Sequence, residues 1–96
     1  MEIKTKSEIT TDLRNLRRLC KTPKGKESDL YKEYTELFNK VLDEYERIIM
    51  RKCYIEGKSY YLCSLQMSNC SEKTIYRAVK GSIVKMEDYL KEERVL

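Results

Sequence analysis

The sequence predicts an all-α protein, a single domain of four helices whose C-terminal pair forms a helix-turn-helix. Three observations carry that expectation. Apolar residues recur every three or four positions over long stretches, which is the helical period. One proline and three glycines in 96 residues leave too few turn residues for a sheet. Residues 54–90, YIEGKSYYLCSLQMSNCSEKTIYRAVKGSIVKMEDYL, read as a helix end, a short helix, a break and a second helix armed with cations. A chain of this length suits one domain that buries roughly 60–65% of its unfolded surface. Residues 7–54 read as an N-terminal helical hairpin and residues 55–90 as the helix-turn-helix.

The first helix is predicted over Ser7–Cys20. Ser7 is its expected cap, Glu8 sits in its first turn, and Ile9, Leu13, Leu16 and Cys20 share one face. Arg14, Arg17, Arg18 and Lys21 occupy the opposite face, and the Thr-Pro-Lys-Gly run that follows ends the helix. The second helix begins at Ser28 or Asp29 and extends to Tyr54. Leu30, Tyr34, Leu37, Val41, Tyr45 and Ile48 form its stripe, widened by Tyr31, Phe38, Leu42 and Ile49. Unbroken, it spans about 25 residues, on the order of 37 Å. So long a rod either kinks or lays its Leu30–Ile49 stretch against a second copy of the chain.

Gly57 is a helix stop, and Ser59 caps a third helix reaching Met67. Tyr60, Tyr61, Leu62, Cys63, Leu65 and Met67 make that helix apolar nearly all round, which predicts a central, buried element. Ser68-Asn69-Cys70 forms the break, with Asn69 suited to a left-handed turn conformation. Ser71 caps the fourth helix, in which Ile75, Val79, Ile83, Met86 and Leu90 define one inward stripe. Lys73, Arg77 and Lys80 fall on the other side, within about 60° of one another. Gly81 marks a bend or a place where another chain comes close, and the KEERVL tail is expected to fray.

Charge is unevenly placed. Residues 1–26 hold eight basic and three acidic side chains, and residues 27–56 hold five and eight. From Ser71 to Lys85, Lys73, Arg77, Lys80 and Lys85 face only Glu72. A basic arm and a basic late helix can present two positive surfaces to one polyanion. No apolar run nears the roughly 20 residues that span a bilayer, and no signal-peptide core opens the chain, so a cytoplasmic location without membrane contact is expected. In that compartment Cys20, Cys53, Cys63 and Cys70 are reduced thiols, Cys53 and Cys63 serving as small apolar residues. There is no histidine and no CxxC pair, so a zinc site is not expected. The same inventory lacks a glycine-rich phosphate loop and a nucleophile beside a base, so neither an enzyme nor a cofactor is expected.

The segment Glu46–Met86 resembles region 4 of bacterial sigma factors and their relatives. In that family a helix ending in R-Y-I-E-G precedes S-Y-x-x-I-A-x-x-L, a turn, and S-x-x-T-V-Y-R. Tyr54-Ile-Glu-Gly57, Ser59-Tyr60 and Ser71-Glu-Lys-Thr-Ile-Tyr-Arg77 match that pattern over about 40% of the chain. With its helical N-terminal extension, the chain is similar to small phage transcription regulators of the ArpU/RinA kind. It departs from the family at Cys63, Ser64 and Met67, and its turn is one residue longer, which rotates or displaces the second helix of the motif. The resemblance implies double-stranded DNA as partner, in a bacterial host cell. Ser71, Lys73, Thr74 and Arg77 would then lie nearest the base edges, Lys80 and Lys58 against phosphates, and the Tyr76 hydroxyl within reach of one. A single module binds weakly, so RNA polymerase or a homodimer is the expected further partner. The alternative is a helical protein–protein interaction module that has lost DNA affinity and docks through Tyr61, Leu62 and Leu65.

Overall fold

The computed structural model describes residues 2–68 and 70–95; Asn69, expected to set the turn, lies outside them. Five helices are formed among the described residues, and none is long and apolar enough to cross a membrane.

Helix α1 (Lys6–Leu19) is capped by Thr5, not Ser7. The Glu8 amide donates to Thr5 Oγ1 and the Thr5 amide to Glu8 Oε1, both at 3.2 Å. This reciprocal pair needs a hydroxyl three residues before a carboxylate, a spacing Thr5 meets and Ser7 does not. Ile9, Leu13 and Leu16 are fully buried. A short 3₁₀ turn at Pro23–Glu27 then carries the chain back. Its Gly25 is there for close approach, because a Cβ would overlap the Leu19 carbonyl.

The long second helix divides. Helix α2 (Asp29–Val41) starts from the Ser28 cap and stops at Leu42, and α3 (Glu44–Tyr54) restarts from Asp43. Leu42 and Asp43 are both extended (ψ 147° and 172°), and Asp43 forms a second reciprocal cap with Glu46. That cap stabilises the break, so the kink is the route taken and the single 25-residue rod does not form. The restart also shifts the helical phase. Ile49, Met50 and Cys53 turn inward, while Tyr45 and Ile48, expected in the stripe, are 41% and 40% exposed.

Helix α3 ends where the Ile55 and Glu56 amides converge on the Arg51 carbonyl and Gly57 takes φ +73°, a left-handed value that favours glycine. Helix α4 (Tyr60–Gln66) is capped by Ser59 as the sequence predicts. It is not the buried centre, however: only Cys63 is buried, and Tyr61, Leu62 and Leu65 are 56%, 45% and 64% exposed. Two turns of helix can press only one edge onto a core, so apolar residues on the other sides stay outside. The centre is α5 (Glu72–Val95), which packs against α1, α2, α3 and α4 through Ile75, Val79, Ile83, Met86 and Leu90. It continues through most of the tail expected to fray.

Candidate nucleic-acid interface

The first turns of α5 are shaped by Ser71. The Thr74 amide donates to Ser71 Oγ at 3.2 Å, and the two hydroxyls lie 3.1 Å apart. This satisfies one orphan amide at the positive end of the helix. Ile75 and Val79 then fix the rotation of the helix by burying completely. The same rotation turns Lys73, Thr74, Tyr76, Arg77 and Lys80 to solvent, with Ser71 exposed at the cap.

The cations on this face are uncompensated: among the described residues no carboxylate forms an ion pair with Lys73, Arg77 or Lys80. Tyr76 is half exposed but held from two sides. Its ring meets Tyr60 edge-on at 6.1 Å, and the Lys80 ammonium sits 5.4 Å from its centroid. Through Tyr60 the face is tied back to α4. At the end of α3, the Tyr54 phenol is held above its ordinary ionisation range, first by burial and then by the neighbouring Tyr60 hydroxyl.

Two lysines behave differently from that set. The Lys58 ammonium donates to Gln66 Oε1 at 2.9 Å and pairs with Glu56 at 2.8 Å, an arrangement that lowers the Glu56 carboxyl's ionisation range. It is engaged inside the chain rather than standing free for a phosphate. Lys85 donates to Glu46 at 2.7 Å, with Asp43 at 3.9 Å, so it adds nothing uncompensated to the helix. Among the described residues, the cations of α5 outside ion pairs are Lys73, Arg77 and Lys80, all in its first turns.

Just before α5, Cys70 is held from two sides. The Cys70 amide donates to the Met67 carbonyl, and Cys70 Sγ lies 3.1 Å from the Tyr45 hydroxyl of α3. Beneath it, Cys53 and Cys63 Sγ approach to 3.4 Å across the α3–α4 seam, and burial leads in pushing the Cys53 thiol up to about 12.

Sequence reasoning did not connect the α5 face to α1. Arg14 and Arg17 of α1 line a cavity together with Lys80, and Arg17 Nη2 donates to the Gly57 carbonyl at 3.0 Å. The signal in the sequence was the surplus of cations in residues 1–26, but their juxtaposition with residue 80 is a product of the fold. No family model, curated protein or solved structure matches this chain.

Proposed function

We propose that this chain is a DNA-binding transcription regulator of a phage or mobile element, of the sigma region 4-like kind, which sets the first turns of α5 in the major groove. The observation that carries the reading is the uncompensated row Lys73, Arg77 and Lys80 on a helix whose opposite side is buried. Helices α4 and α5, joined through Met67–Ser71, then act as the two arms of a helix-turn-helix.

Each side chain has a role fitted to its chemistry. Arg77 grips a guanine edge through two parallel hydrogen bonds. Lys73 and the Ser71 and Thr74 hydroxyls fix register close to the bases, and Lys80 and Tyr76 hold phosphate oxygens. Lys58 is a lesser contact, because a phosphate there displaces Glu56 and Gln66. Replacement of Arg77 by alanine should weaken binding to a duplex selected from a random pool by about 1–3 kcal/mol, with the helical fold unchanged. Equal affinity of the variant in a binding titration removes Arg77 from the reading surface.

One observation favours a second reading, a protein–protein interaction module. Tyr61, Leu62 and Leu65 give α4 an exposed apolar side that DNA does not need. RNA polymerase or a second copy of the chain is the partner such a patch would serve. Binding through it should respond little to salt, whereas DNA binding should weaken steeply.

A further inference from the structure

We propose that the cavity between α1 and α5 is a binding site for a small phosphate monoester with a ring-bearing body, of mononucleotide size. The cavity measures about 520 Å³, within the range of about 300–1,000 Å³ typical of small-molecule sites. Lys6, Thr10, Arg14 and Arg17 recur along α1 at spacings of four, four and three, so they form one stripe, and that stripe faces Lys80 and Gly81 of α5.

Charge points to the ligand class. Four cations line the cavity (Lys6, Arg14, Arg17 and Lys80) and no carboxylate does. None of the four is in an ion pair among the described residues. The lining side chains therefore carry a formal charge of +4, and the Glu87 carboxylate stands at their edge, accepting from the Lys6 amide at 2.8 Å. Like charges so gathered repel one another, and a dianionic phosphate relieves that repulsion. Guanidinium groups also match phosphate oxygens in pairs.

The walls point to the body of the ligand. Tyr54, Tyr60, Val79 and Ile83 supply aromatic and aliphatic surface behind the cations. Gly81 supplies the opening. A Cβ there meets nothing within 4 Å, so no contact inside the chain calls for glycine in the middle of this helix. Glycine is nonetheless a poor helix residue, and without a side chain it leaves its part of the cavity wall open. The site shares Lys80 with the proposed DNA-facing row, and its other cations come from α1.

The test is a titration of the full-length chain with adenosine 5′-monophosphate, followed through the amide resonances of Thr10, Gly81 and Val84. Adenosine and inorganic phosphate are titrated separately. The expected result is saturable shifts with the monophosphate, and weaker binding of adenosine and of phosphate alone. Gly81→Leu, which adds bulk at the cavity wall, and Arg14→Gln, on the exposed side of α1, should each weaken the monophosphate by about tenfold. Arg14→Gln keeps the test valid if the bulkier substitution disturbs folding. Non-saturating shifts, equal binding of inorganic phosphate, or wild-type affinity in Arg14→Gln overturns the proposal.

Discussion

Gly25 and Gly81 look alike in the sequence, each a lone glycine directly after a lysine, yet they meet opposite surroundings. A side chain at Gly25 would overlap the Leu19 carbonyl, which is fixed backbone, whereas one at Gly81 has open space. Gly25→Ala should therefore cost about 1–3 kcal/mol or more in a urea melt. Gly81→Ala should raise stability by up to about 1 kcal/mol, because the helix gains propensity and loses nothing. Equal effects of the two substitutions would contradict this account of the backbone. Lysines show the same limit of reading single residues. Lys58, Lys80 and Lys85 are indistinguishable as letters, but among the described residues only Lys80 of the three lacks a paired carboxylate: Glu56 reaches Lys58 from two residues away, and Glu46 reaches Lys85 across the fold.

At the scale of elements, the inward stripe of α5, the caps at Ser28, Ser59 and Ser71 and the stop at Gly57 were legible, since each depends on neighbours within a turn or two. The division of α2 from α3 was also written locally, as Asp43 followed three residues later by Glu46, but an uninterrupted apolar stripe masked it. Glu46 is more than a cap. Its carboxylate accepts from the Asp43 amide at 3.2 Å and from Lys85 at 2.7 Å, joining the break to α5, and it is only 8% exposed. Glu46→Ala leaves the Asp43 amide without that acceptor and should destabilise the fold by about 1–3 kcal/mol in chemical denaturation. A change within experimental error would show that the break is held by something else. The misreading of α4 has a different cause. Composition cannot say which sides of a seven-residue helix find cover, and only tertiary packing decides that Cys63 does and Leu65 does not.

For the whole molecule, all-helical architecture and the exposure of the α5 cations follow from pattern, while the α1–α5 cavity does not, because its walls come from residues 6–17 and 79–84. The core also predicts a pH response. Burial raises Cys53 from an ordinary 9.0 to about 12 and holds Tyr34 and Tyr54 above their ordinary 10.0, and the Tyr34 hydroxyl donates to Asp12 at 2.7 Å. Lys85 is likewise raised, first by its hydrogen bond to Glu46. Every one of these groups keeps its proton longer folded than unfolded. Their contribution is complete below about pH 9 and is lost as the pH climbs through the unfolded and then the folded values. Urea midpoints should accordingly hold level near neutrality and fall above about pH 9; a rise in that interval would contradict the burial described. The central claim is that Lys73, Arg77 and Lys80 meet a nucleic-acid backbone and bases. Its most direct test is the affinity for a labelled duplex over a series of salt concentrations. With Arg77 on a base edge and Lys73 and Lys80 neutralising phosphates, the slope of log affinity against log salt should be roughly −2, reduced by about one in Lys80→Ala. A flat dependence, or a slope the same in Lys80→Ala as in the unaltered chain, would contradict it.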